Sequence, residues 1–414
     1  MKRRPRLLPV LAMTGAMGLA ASGCGGSPGG GETSASTITA GAPSTSPAQD
    51  ALTPLIGAVP FPPVPFAGSD GKTHLVYELS VTNFSSGATT VDKVTVLDAD
   101  SGATVAELDA DRVRQRLQLA GARDSTDRLQ PGQSGTLFLH LTLDAQAPVP
   151  KRLVHKVAIT AEAAPPGKGQ ITEQIGPSPV DVRTLPVISA PLRGERYIAA
   201  DGCCDAVRHT RAILPVNGQT YVAQRYAIDF EQADAANRIF TGNPTDPKSY
   251  VIYGKEIHAV ADGTVVATRN DLADQVPGTY PAGIPLDEAD GNFVILDIGD
   301  GFFVNYAHMQ TGSVRVKVGD RVATGDVIGL VGNTGNSVAP HLHLHVMDAS
   351  SALAAQGLPY LYDRFMLTGQ VASTADFDAA EGKGIPLVTV PGVTATEHSD
   401  QLIMDQNIVT FGGS

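Results

Sequence analysis

Cysteine is scarce in this chain: three among 414 residues, and after Cys24 only the adjacent pair Cys203-Cys204. The pair as zinc ligands is the weaker reading, since no second pair exists to complete a site. In an exported chain the two can instead close a vicinal disulfide, a structural or redox-labile turn. Basic charge is short as well. Lys and Arg number 30 against 42 Asp and Glu, for a net charge of −12, and no basic patch forms. That argues against nucleic acid as a partner, while the acidic balance names no substrate. Long apolar runs are missing too. The one candidate, Leu7 to Ala21, is too short and too rich in small residues for a good membrane span. No internal repeat is visible.

What is present divides the chain into five parts. Residues 1–24 join a basic start, Met1-Lys2-Arg3-Arg4-Pro5-Arg6, to that apolar run and to Ala21-Ser22-Gly23-Cys24, which resembles a bacterial lipobox. The resemblance implies export, acylation of Cys24 and a lipid anchor on the outer face of the cell membrane. Residues 25–65 are rich in Gly, Ser, Thr, Ala and Pro and read as a flexible tether, stiffening to polyproline II near its end. In residues 66–184, alternating runs at 74–83, 91–97, 136–143 and 154–161, cut by turn residues, predict an immunoglobulin-like β-sandwich. His74, His140 and His155 lie scattered along those strands and read as satisfied or surface residues. After a Pro- and Gly-broken link, residues 196–367 form a second domain. Residues 368–414 are a C-terminal extension without long periodicity that wraps the domain or is partly mobile. The fold class expected is all-β.

The second domain carries the chemistry. A loop, Gly332 to Pro340, runs into His341-Leu342-His343-Leu344-His345-Val346. Side chains alternate across a strand, so the three histidines share one face and the apolar residues face a core. Three imidazoles side by side are poor core material, because each has two polar nitrogens to satisfy; they suit a metal or proton transfer. Three of the chain's ten histidines fall here. Upstream, Asn305-Tyr306-Ala307-His308-Met309 ends a strand-like run after a Gly299-Asp300-Gly301 turn. Tyr226-Ala227-Ile228-Asp229-Phe230 sets a carboxylate among apolar neighbours, a place a bare carboxylate avoids unless a cation lies beside it.

Together these motifs, over roughly residues 223–347, resemble the M23 peptidases, the lysostaphin- and LytM-type zinc endopeptidases that cut peptide cross-links of bacterial cell walls. The resemblance implies an M23-type antiparallel β domain and one zinc ion. It implies Asp229 and His343 as ligands, His308 and His341 as the catalytic pair, and peptidoglycan peptides as substrate. The family's remaining ligand is a histidine four positions before the aspartate, and here that position is Arg225. A guanidinium has no lone pair to give and repels a dication. On a strand Arg225 shares a face with Asp229, and a salt bridge between them, in the place of the metal, is the simplest relation. Two replacements are available: His345, on the strand face of His343, and His209, on a preceding segment. Three readings follow. One is a zinc peptidase with a rearranged ligand set. Another is an inactive M23-like module that binds wall peptide or regulates another hydrolase, with an envelope protein as partner. The last is a purely structural envelope lipoprotein.

Overall fold

The computed structural model describes residues 53–205 and 207–412. The expected export signal, Cys24 and most of the tether lie outside the described residues. The chain is all-β, with 43% strand and 6% helix. Among the described residues no helix is long and apolar enough to cross a membrane.

Two five-stranded antiparallel sheets come first, packed around one core. Strand Lys72–Asn83 shows the logic. Its odd-numbered residues Leu75, Tyr77, Leu79 and Val81 join Val91, Val94, Val96, Val157 and Ile159 of the facing sheet. Its even-numbered residues His74, Val76 and Glu78 take the other face and are buried as well. A strand buried on both sides must have something covering its outer face, and the second domain supplies it. The tether ends earlier than expected. Leu55–Ala58 pairs antiparallel with residues 80–83, and Leu55 is buried, so the chain is captured as soon as it offers an apolar side chain.

The second domain is built on a ten-stranded sheet: β1 (Gly194–Ala200), β2 (Ile228–Gln232), β3 (Gly263–Arg269), β4 (Asn292–Asp297), β5 (Phe303–Met309), β6 (Arg321–Val322), β7 (Leu342–Met347), β8 (Phe365–Gln370), β9 (Thr396–His398) and β10 (Asn407–Phe411). Their spatial order is β6-β3-β4-β5-β7-β2-β1-β10-β8-β9. Leu342, Leu344 and Val346 of β7 pack into the core with Ile228 and Phe230 of β2, as the alternation predicts. The C-terminal residues do not merely wrap the domain. Strand β10 sits inside the sheet between β1 and β8, with Val409 and Phe411 buried, and helix Thr374–Lys383 buries Phe377 and Ala380. Five residues of alternating Asn-Ile-Val-Thr-Phe are too few to announce a central strand.

The described residues form one compact unit. Phe66 and Val76 of the sandwich belong to the same core as Tyr226, Ile228 and Tyr360. Phe66 meets Tyr226 edge to face at 5.4 Å, and the Tyr226 hydroxyl donates to the Val76 carbonyl. Burying each such side chain stabilises by about 1.5–3 kcal/mol, so the sandwich and the large sheet hold one another.

Candidate metal centre

Register brings Asp229 of β2 opposite His343 of β7, and β7 also pairs Ala307 with His343 and Asn305 with His345. Strand β1 flanks β2 on its other side, with Ala200 opposite Asp229. The turns that follow β1 carry Asp201 and, eight residues on, His209.

Three donors converge. Asp229 Oδ1 lies 2.8 Å from His343 Nδ1, and Asp229 Oδ2 lies 3.4 Å from His209 Nε2. The candidate ligand atoms of His209, Asp229 and His343 all lie within 4.8 Å of one another. The ring of His209 stands edge-on to that of His343, centroids 4.9 Å apart. His209 Nδ1 is 2.9 Å from the Asp201 carbonyl and must carry the proton, which leaves Nε2 with a lone pair facing Asp229. A backbone carbonyl on the far nitrogen is how metal-binding imidazoles are usually held.

His345 does not join these three donors. Its Nδ1 lies 2.9 Å from Nε2 of His343, on the side away from Asp229. Two residues apart on one face puts the rings in contact, but only one of them reaches the carboxylate. A His343 ring that gives its Nδ1 lone pair to a metal carries its proton on Nε2, and His345 Nδ1 accepts it. His345 thus stands behind His343, not beside Asp229. Its own Nε2 is buried without a hydrogen-bond partner, beside the cross-strand Asn305, whose Oδ1 is likewise unpartnered.

Arg225 does not pair with Asp229. Strand β2 begins only at Ile228, and Arg225 sits in the turn before it, so strand alternation does not apply. Its guanidinium turns to the sandwich and makes two contacts with Glu78, Nε to Oε1 at 2.9 Å and Nη2 to Oε2 at 2.7 Å. Nη1 donates to the Gly357 carbonyl. Both side chains are buried, and a guanidinium there needs a carboxylate opposite it. The seat beside Asp229 is left to His209.

The other two histidines border the same spot. The rings of His308 and His341 are 4.6 Å apart, and donor atoms of His308, His341 and His343 also lie within 4.8 Å of one another. His308 Nδ1 donates to the Thr334 carbonyl and His341 Nδ1 to the Ala339 carbonyl, so each ring keeps Nε2 uncommitted. His341 Nε2 is 3.5 Å from Asp229 Oδ1. His308 has a left-handed backbone, φ +59°, which costs a non-glycine residue about 1–3 kcal/mol. Its N–H donates to the Asp290 carbonyl and its own carbonyl accepts from Gly332, which hold it there. Gly335 is required nearby: at φ +77°, a Cβ would meet the Gly291 nitrogen at 2.3 Å.

Burial pushes the Asp229 carboxyl up, but His209, His341 and His343 around it outweigh that and hold it well below the usual range, as an anion. Burial, then the neighbouring imidazoles, push His308 and His345 well below 6.5, so both are neutral. An ionised carboxylate is the donor state a divalent cation needs.

Residues 250–355 match the model of peptidase family M23. The chain contains an M23 peptidase domain. The matched segment includes His308, His341 and His343 and excludes His209 and Asp229. Peptidoglycan DD-endopeptidase ShyA of Vibrio cholerae serotype O1 is 27% identical over 181 residues, 39% of this chain and 37% of that protein. Glycyl-glycine endopeptidase ALE-1 of Staphylococcus capitis is 32% identical over 122 residues, 29% of each. Aligned residues thus span well under two thirds of either relative. The solved catalytic domain of lysostaphin from Staphylococcus simulans is 24% identical, with a TM-score of 0.22, covering 39% of this chain and 88% of that one. M23 peptidases are zinc-dependent, and the two-nitrogen, one-carboxylate donor set fits that ion.

Sequence reasoning put forward His345 first and His209 second as the replacement ligand, and passed over the backbone carbonyls of Asp201, Thr334 and Ala339, which fix the tautomers. No side-chain pattern encodes those. Glu78 did leave a signal: it is the one acid in the otherwise apolar stretch Leu75 to Leu79.

Proposed function

We propose that this chain is a zinc-dependent endopeptidase of peptidoglycan peptides, with His209, Asp229 and His343 as the zinc ligands and His308 and His341 as catalytic residues. The observation that carries the proposal is the aim of His209 Nε2 at Asp229, which supplies the third ligand that Arg225 cannot. Zinc held there supplies Lewis acidity, polarising a scissile carbonyl and lowering the pKa of water towards neutrality. The protein residues do the rest. His308 and His341, each held at Nδ1 by a backbone carbonyl with Nε2 turned to the site, take up a proton as attack begins, hydrogen-bond the oxyanion and return the proton to the leaving amine. His345 accepts the His343 Nε2 proton and keeps that ring in register. Export, and anchoring through acylated Cys24, belong to the same proposal; labelled palmitate should be incorporated by the wild-type chain and not by Cys24→Ser.

The test is cleavage of purified peptidoglycan fragments. Activity should vanish with chelator, return with zinc, and be lost in His308→Ala. Stoichiometric zinc without cleavage of any wall peptide would reject the peptidase reading.

A further inference from the structure

Where the outer face of the sandwich meets the turn after β1, a second histidine cluster forms away from the M23 site. His74 and His140 lie on paired strands, and His74 Nδ1 is 2.8 Å from His140 Nε2. Behind each ring stands a carboxylate: Asp70 Oδ1 lies 2.9 Å from His74 Nε2, and Asp205 Oδ2 lies 3.1 Å from His140 Nδ1. Cys204 faces the pair, its Sγ and one nitrogen of each ring all within 4.8 Å of one another. His74 and Cys204 are buried. Cys204 is bonded to Cys203 in a vicinal disulfide.

Counting protons shows what this arrangement requires. An ionised carboxylate only accepts, so each imidazole turns an N–H towards its own aspartate. Two neutral rings have then used both their protons. The nitrogens that face each other at 2.8 Å are two lone pairs, which repel unless a cation lies between them. Imidazoles backed by carboxylates, with free lone pairs converging, are the usual outer support of metal-binding histidines. Either a proton or a metal ion can fill that gap. A third donor, the Cys204 sulfur, stands beside it but cannot act as a thiolate while bonded to Cys203.

We propose that His74, His140 and Cys204 form a second, thiol-gated binding site for a zinc-class divalent cation, closed by the Cys203–Cys204 disulfide and opened by its reduction. A dithiol reductant transfers two electrons and two protons to the S–S bond, giving two cysteine thiols and the reductant's own disulfide. Cys204 then releases its thiol proton to solvent as it takes the cation, completing a two-nitrogen, one-sulfur donor set of the kind that late first-row cations prefer.

Cobalt(II) is the probe, because cobalt bound to thiolate absorbs in the near ultraviolet. The full chain, stripped by chelator, is titrated with cobalt in oxidised form and again after dithiol reduction and removal of the reductant. The proposal expects the reduced protein to take one further equivalent and to show the thiolate band, absent from the oxidised protein. Cys203→Ser, which frees Cys204 permanently, should show the band without any reductant. Cys204→Ser should lack it in both states, and His140→Ala should weaken cobalt binding at least tenfold. Repeating the titration in His343→Ala keeps the M23 site out of the count. If reduced wild type and Cys203→Ser, both folded by circular dichroism, show no thiolate band, the gap holds only a proton and the proposal fails. Equal cobalt uptake by oxidised and reduced protein would also overturn the gating.

Discussion

Among the described residues two histidine clusters draw on one short segment, which gives Cys204 to one and His209 to the other. At the Asp229 centre three donors converge, with the far nitrogen of His209 on a backbone carbonyl and that of His343 on His345. At the His74 centre two imidazoles converge with carboxylates behind them, and the third donor is tied up in a disulfide. As proposed, the first offers its three donors without covalent change, and the second awaits reduction of the disulfide. The contrast teaches that histidines near one another do not define a site. The number of donors with a free lone pair does, and that number depends on what holds the far side of each ring.

The largest effect expected on this contrast comes from His343→Ala. It removes a donor from the Asp229 centre alone, so zinc should be lost there and fragment cleavage should fall to background, while the cobalt response of the His74 centre persists. His308→Ala should cut turnover by about 100- to 10,000-fold, the usual contribution of a general acid–base group, with zinc content unchanged; a parallel fall in zinc would make His308 a ligand. His345→Ala removes a support rather than a donor and should weaken zinc about 10- to 100-fold, as read by competition with a chelator. The seam between the clusters can be tested through Glu78→Ala, which leaves the buried Arg225 unpaired. Breaking such a pair costs about 3–5 kcal/mol, measurable by denaturant unfolding. Zinc stoichiometry should survive under native conditions, since Arg225 has no part in binding.

The smallest effect is one of pH on the zinc-free protein. His308 and His345 have folded pKa values pushed well below 6.5 by burial, so the unfolded chain binds more protons than the folded one as pH falls past about 6.5. Stability is therefore full above that pH and declines below it, by up to about 1.4 kcal/mol per pH unit for each group, until the folded pKa is reached. His308→Gln should flatten the decline between pH 6.5 and 5.

Much of this was legible in the sequence. The alternation of His341 to Val346 placed the histidines on one face of β7 and the apolar residues in the core, and the apolar setting of Asp229 marked a carboxylate that needs company. The third donor was legible only as a choice between His345 and His209. His209 sits among turns with no periodicity, and its approach to Asp229 depends on β1 pairing beside β2. Arg225 was misplaced because alternation was carried three residues beyond the start of β2. His74 and His140 went unrecognised for a different reason: they are far apart in sequence, and Cys204 reaches them only through the packing of one domain on the other.

The most direct measurement is zinc per chain in wild type and in His209→Ala, on folded protein under non-reducing conditions, alongside fragment cleavage. The ligand set proposed here requires about one zinc and activity in the wild type, and neither in the variant. A variant that keeps its zinc and still cuts would show that the ion sits without His209, and the rearranged centre would have to be abandoned.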